Sequence, residues 1–323
     1  MKAFKKVLIW IAILPFVLVI SCKDNDPAPA NDNFTVLTDY MVANSMDLGD
    51  VVSGWITPPP ASEADVASFV ATYYIMDIRS ASDYAAGHIE GAVNSTLGTI
   101  VADATQATKP ILVVCYTGQS AAHATVALRL SGHPDAKVLM WGMSGWRSDL
   151  AGSWLGNSGD NGNIGVGNSN WVTTSTADPQ AFDAPTWTTT STDPAEMLAE
   201  RVAYMTSDGF KGVASADVLA NPSNYFINNF WDAASVEKYG HIATSFRINP
   251  LTITNGEIRN LDPTKTIVTY CWTGQTSSMI TAYLTVLGYN AKSLKFGANS
   301  MIYSALEAHK FVQPTVDLPV VTD

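Results

Sequence analysis

Two stretches of the chain set a cysteine in the same surroundings: ILVVCYTGQSAAHATVALRLSG, from Ile111 to Gly132, and TIVTYCWTGQTSSMITAYLTVLG, from Thr266 to Gly288. Each cysteine closes an apolar run of strand length, is followed by x-T-G-Q-[S/T], and leads into a helical pattern. Gly118 and Gly274 free the backbone for unusual dihedrals and close approach to a ligand. Ser120 and Thr276 are small hydroxyl residues suited to a helix start. A tight loop of this kind at a helix N-terminus turns successive N–H groups inward and forms an anion cradle. Such a loop favours the thiolate form of a cysteine, which is the nucleophile. The candidate nucleophiles are therefore Cys115 and Cys271, with loops Tyr116, Thr117, Gly118, Gln119, Ser120 and Trp272, Thr273, Gly274, Gln275, Thr276.

The elements that must position these loops repeat as well. GHI occurs at Gly87 to Ile89 and again at Gly240 to Ile242, 153 residues on; the cysteines are 156 apart, and Gly142 and Gly297, each behind a hydrophobic strand, are 155 apart. Landmarks in one order at nearly one spacing indicate a duplicated domain. Apolar runs at Tyr73 to Ile78, Ile111 to Cys115 and Ala136 to Met140 predict buried strands, and Ala121, Val126 and Leu130 fall at helical spacing between two of them. Such alternation predicts α/β domains, each a mostly parallel central sheet flanked by helices.

The expected organisation is a signal peptide over 1–21, a flexible tether over 22–35, a first domain over 36–150, a linker over 151–196, a second domain over 197–315 and a tail over 316–323. The start MKAFKKVLIWIAILPFVLVISC has the basic, apolar and small-residue parts of a secretory signal, and VISC is similar to the bacterial lipoprotein signal, with Cys22 as the acylated residue. Asp24 and Asp26 behind it are similar to export tags of surface lipoproteins. The expected location is extracytoplasmic, lipid-anchored to the bacterial cell envelope at the outer membrane. The linker is rich in Gly, Asn, Ser and Thr with no helical or strand period, and Trp154, Trp171 and Trp187 are expected to pin it across the domain surfaces. Its GDNGN run lacks the spacing of a calcium loop and reads as a turn.

The net charge is −11, and −14 once the three lysines of the first 21 residues are set aside. That excludes a nucleic-acid partner, whose phosphates need a Lys/Arg surface. His123, His133 and His309 form no ligand spacing, so no metal is expected. In an oxidising compartment Cys115 and Cys271 have a second reading as a structural disulfide.

Three features together, DIRSASDYAAGHIEGAVN from Asp77 to Asn94, the loop CYTGQS, and VLMWGMSGW from Val138 to Trp146, resemble the rhodanese family of sulfurtransferases, and GHI, CWTGQT and SLKFG resemble a second copy. The resemblance implies a tandem rhodanese in which Cys115 and Cys271 take up a sulfane sulfur as a persulfide. It also implies that the amides of the loop residues surround that sulfur, and that no cofactor is used. Asp77, Arg79, His88, His241 and Trp146 are expected to support the loops, with Asp83 joining Asp77 and Arg79 in an ion-pair and turn network. In the second copy Asp232 is expected to stand in for Asp77 after a short deletion, with no matching arginine, and Met301 replaces Trp146. Neither loop holds Arg or Lys, and Tyr116 and Trp272 suggest cation-free rims, so the expected natural donor is a polysulfide or persulfide, with thiosulfate a slow donor, and the acceptor a thiol, cyanide or other nucleophile. The alternative is a non-catalytic binding or sulfur-sensing lipoprotein.

Overall fold

Strand pairing follows the duplication. The computed structural model describes residues 33–322; the signal, Cys22 and most of the tether lie outside them. In the first copy the strands are β1 (Ile56–Thr57), β2 (Tyr74–Asp77), β3 (Val93–Asn94), β4 (Ile111–Val114) and β5 (Lys137–Leu139), paired in the order β1-β5-β4-β2-β3. After β6 (Trp171–Val172), the second copy has β7 (Gly212–Val213), β8 (Phe226–Asn229), β9 (His241–Ile242), β10 (Phe246–Arg247), β11 (Ile267–Tyr270) and β12 (Ala291–Leu294). Its main sheet runs β10-β8-β11-β12-β7, the same order of equivalents, and every pairing in both five-stranded sheets is parallel. The central strands β4 and β11 are buried throughout, as Val- and Ile-rich strands covered on both faces must be.

The helices that follow the cysteines, Gln119–Leu130 and Gln275–Val286, pack against each other between the two sheets. Sequence periodicity predicts one apolar stripe on each. Instead, every residue of the first is buried except Ser120, and every residue of the second except Thr276. A helix with its own sheet on one side and the opposite copy on the other has no face left for water. Alanine at 121, 122, 124 and 127 allows this close approach, while Val126, Leu128, Ile280 and Leu284, all 0% exposed, supply the apolar area. A fully buried Val, Leu or Ile contributes about 1.5–3 kcal/mol.

The expected boundaries need correction at three places. Helix Asn33–Ala43 begins inside the stretch assigned to the tether and lies on the second copy, where Phe34 meets Tyr289 edge-on at 6.3 Å and Tyr283 Oη donates to Met46 O at 3.0 Å. The tail crosses the other way: Leu318 N donates to Trp146 O at 3.0 Å, Trp146 Nε1 to Pro319 O at 2.9 Å, and Val321 bridges His88. The first and last described segments are thus each stitched to the copy more distant in sequence. The stretch assigned to a linker carries helix Gly152–Leu155, a 3₁₀ turn at Gly159–Gly162, β6 paired antiparallel with β9, and the start of helix Pro194–Asp208. Its tryptophans act as pins, and Trp154 is 0% exposed. It sits among Trp141, Phe296 and Phe311, ring centroids 4.8–5.0 Å away.

Candidate active site

Each cysteine sits one residue beyond its central strand, and the chain turns back at once into a helix. The turn needs glycine. Gly118 and Gly274 have φ of +77° and +78°, the left-handed region that side chains resist. Behind each loop a second glycine, Gly142 or Gly297, brings a turn so close that an added Cβ would stand 2.2 Å from Cys115 O or 2.3 Å from Cys271 O. These turns tie down the loops: Met143 N and Ser144 N donate to Cys115 O and Tyr116 O, and Ala298 N and Asn299 N to Cys271 O and Trp272 O.

The sulfurs face backbone N–H groups. Cys115 Sγ accepts from Gly118 N at 3.1 Å and Ala121 N at 3.3 Å; Cys271 Sγ accepts from Ser277 N at 3.3 Å and lies 3.6 Å from Ser277 Oγ. The cradle thus reaches one residue past the expected loop, to Ala121 and Ser277. Gln119 N and Gln275 N turn instead to the hydroxyls of Thr117 and Thr273. Both cysteines are free thiols and nearly sealed, at 4% and 3% exposure.

The loops meet across the copies. Gln119 Oε1 accepts from Phe296 N at 2.9 Å and lies where a Cβ on Gly274 would be 2.5 Å from it. Gln275 reaches back, its Nε2 donating to Thr117 O at 3.4 Å and standing 2.0 Å from a Cβ built on Gly118. Thr117 O also accepts from Trp154 Nε1 at 3.2 Å, so the stretch between the copies reaches the first loop directly. No feature of the sequence taken one copy at a time signals these contacts.

Around the first loop, Asp77 and Arg79 form a buried bidentate pair, Nε at 3.0 Å from both carboxylate oxygens and Nη2 at 2.6 Å from Oδ2, with Nη2 also donating to Gly87 O. The guanidinium lies 5.2 Å from the Tyr116 ring centroid. The expectation of a cation-free rim at Tyr116 is therefore corrected. Burial opposes the charge of Arg79, yet Asp77 and then Tyr116 raise its pKa above the usual value. Burial and the neighbouring Asp83 carboxylate raise that of Tyr116; hydrogen bonds from Ser80 and then Tyr116 lower that of Asp83.

The second loop is furnished differently. The strand register sets Asp77 beside Val114, just before Cys115, and Asn229 beside Tyr270, just before Cys271. Asn229, not Asp232, occupies the place of Asp77, and no deletion intervenes. Trp231 takes the place of Arg79, and Asp232 that of Ser80: it caps helix Ala233–Tyr239 through Ser235 N at 2.8 Å, as Ser80 caps Ala81–Ala86 through Asp83 N at 3.1 Å. Trp272 stacks on Trp231 at 4.1 Å and on His309 at 5.3 Å. The Asn229 side chain faces the buried Tyr270 hydroxyl, and the indole N–H of Trp231 has no hydrogen-bond partner among the described residues.

The remaining candidates are held by contacts of their own. His88 stacks on Tyr84 at 3.8 Å, and His241 contacts Ile242 O, Ser245 Oγ and Thr174 O. Trp146 is core, packed on Phe69. Ser120 and Thr276 sit half-buried in the first helical turns.

The family model described as Rhodanese-like domain matches residues 62–149 and 216–301. A thiosulfate sulfurtransferase from Pseudomonas aeruginosa is 15% identical over 89% of this chain and 49% of its own, with a TM-score of 0.28, so this chain spans about half its length. A 3-mercaptopyruvate sulfurtransferase from Leishmania major is 14% identical over 79% and 75%, TM-score 0.27. A rhodanese-related protein from Thermoplasma volcanium is 21% identical over 35% and 100%, TM-score 0.26.

Proposed function

The chain belongs to the rhodanese-like family, carrying its domain twice, and from that premise we propose that it is a sulfurtransferase in which Cys115 and Cys271 each carry a sulfane sulfur. A cysteine thiolate attacks the sulfane sulfur of a donor RS–SH, the new S–S bond forms as the old one breaks, and RS⁻ departs. An acceptor thiolate then attacks the outer sulfur of the persulfide and releases the cysteine thiolate. No separate base is needed, because thiolates are both nucleophile and leaving group.

The observation that carries this reading is the cradle: two amides at 3.1 and 3.3 Å from Cys115 Sγ, with an equivalent turn around Cys271. Amides aimed at a sulfur favour its anionic forms without contributing a group to be consumed. The surroundings favour a small donor with little net charge. The sulfurs are almost covered, the charge of Arg79 is already held by Asp77, and the chain carries −11 overall, which repels a dianion such as thiosulfate. We place the mature chain outside the cytoplasm, acylated at Cys22, on the strength of its N-terminal sequence.

The burial of both sulfurs favours a second reading, a module that binds a partner or senses sulfur without turnover. Transfer from a low-molecular-weight persulfide to a low-molecular-weight thiol, measured on the full chain, separates the two. The enzyme reading expects a catalysed rate that falls in Cys115→Ser and in Cys271→Ser, vanishes in the double variant, and is slower with thiosulfate. A double variant that matches the parent leaves the binding or sensing reading.

A further inference from the structure

The copies diverge most underneath the sulfur. Below Cys115 the helix and the neighbouring strand present Ala121, Ala122 and Val138; the equivalent positions below Cys271 hold Ser277, Ser278 and Ser293, and all six are 0% exposed. The three hydroxyls are joined. Ser277 Oγ lies 2.8 Å from Ser293 Oγ, Ser278 Oγ lies 3.2 Å from Ser293 Oγ and donates to Gly274 O at 2.6 Å, and Ser293 Oγ reaches Gly274 O at 3.2 Å. The near end of the chain, Ser277 Oγ, is 3.6 Å from Cys271 Sγ. Buried hydroxyls are unfavourable unless bonded, and the first copy fills the same space with hydrocarbon.

We propose that Ser277 is a catalytic residue of the Cys271 site, the end of a hydroxyl chain that reverses direction with the charge on sulfur. The proposal rests on the sulfur-carrying reading of that cysteine. With a neutral thiol, S–H donates to Ser277 Oγ, Ser277 to Ser293 and Ser293 to Gly274 O. With a sulfur anion, Ser277 donates to Sγ, Ser293 donates to Ser277, and Ser278 supplies Ser293 or remains on Gly274 O. Every contact needed for both states is within the distances already present, so only O–H bonds rotate. The proton lost on ionisation leaves with solvent or the departing thiol, and none is stored in the chain. The anion at Cys271 thereby gains a charge-assisted hydrogen bond that Cys115 lacks. The hydroxyls specialise the second copy for holding sulfur as an anion.

The test uses the full chain carrying Cys115→Ser, so that Cys271 alone is read, with two measurements: alkylation by iodoacetamide at neutral pH and sulfur uptake from polysulfide. Ser277→Ala is expected to slow both about tenfold. Ser293→Ala, which leaves Ser277 in place but removes its donor, is expected to slow them about threefold. The reciprocal variant Ala121→Ser, in a Cys271→Ser chain, is expected to speed alkylation of Cys115 and does not depend on how the second copy tolerates substitution. Parental alkylation in Ser277→Ala, with the variant folded by thermal melt, overturns the proposal. A parent that takes up no sulfur, yet whose alkylation depends on Ser277, supports the hydroxyl chain and overturns the sulfur-carrying reading instead.

Discussion

At Cys115 the neighbouring strand β2 ends in Asp77, whose carboxylate grips Arg79 in a buried pair; at Cys271 the matching residues are Asn229 and Trp231, and the loop residue Trp272 is stacked between Trp231 and His309. The backbone beneath is nearly unchanged, down to the dihedrals of Gly118 and Gly274. The cradle depends on amide direction, which any side chains compatible with the turn preserve. Duplication has kept what the loop backbone requires and has released the rest, so one site is built on ions and the other on aromatic rings and hydroxyls.

The largest effect that can sharpen this contrast lies in the ion pair. Asp77→Ala strands a buried guanidinium and is expected to cost about 3–5 kcal/mol in denaturant unfolding. Asn229→Ala at the matching position removes an uncharged amide facing the Tyr270 hydroxyl and is expected to cost about 1 kcal/mol. Equal losses would break the claim that the two positions have taken on different physical roles.

Next comes a titration. The Gln119–Leu130 helix carries His123 where the second copy has Met279, both 0% exposed. Burial lowers the His123 pKa from 6.5 to about 4. Above pH 6.5 the imidazole is neutral in folded and unfolded chains alike. Below it the unfolded chain takes up a proton that the folded chain refuses until about pH 4, so stability falls across that window and then levels off. The loss amounts to about 3 kcal/mol. His123→Met, which copies the second domain, is expected to remove this part of the pH dependence, as read by unfolding at pH 7 and pH 4.5. An unchanged pH profile would show that His123 is protonated in the folded chain.

The smallest effect tests whether the two sites are joined. Gln119→Ala and Gln275→Ala each remove a side chain that braces the opposite loop, a loss of about 1 kcal/mol apiece. Gln119→Ala is expected to change alkylation at Cys271, and Gln275→Ala at Cys115, in chains with the other cysteine replaced. Effects confined to the home loop would mean that the copies touch without influencing each other.

Much of this was legible in sequence because chemistry and folding demanded the same residues. Strand β4 and the helix behind it could be read from ILVVC and the spacing of Ala121, Val126 and Leu130, and the cysteine, glycine and small hydroxyl marked the turn between them. Strands β1 and β7, two residues each, are too short for periodicity to register. Asp232 drew attention because it matches Asp77 in kind, whereas strand register makes Asn229 its counterpart. The linker stretch was legible in part: Trp154, Trp171 and Trp187 stood out as pins, but its short helix, its 3₁₀ turn and β6 did not. Its Gly and Asn richness is that of a loop, while its folding is driven by single tryptophans such as Trp154 that bind to partners distant in the chain. Gln119 and Gln275 lay in the quoted stretches, but what they touch depends on how two copies pack, which a pattern within one copy does not encode; Ser277 lay there too, but its partner Ser293 comes from a strand brought beside it only by the sheet register.

The measurement that bears most directly on the account is the intact mass of the full chain before and after polysulfide, alongside Cys115→Ser and Cys271→Ser. Two cradles that both hold sulfur predict one added sulfur atom per cysteine, with one addition lost in each variant. No addition, or a mass two hydrogens short that reduction restores, would contradict the account and make the paired cysteines structural.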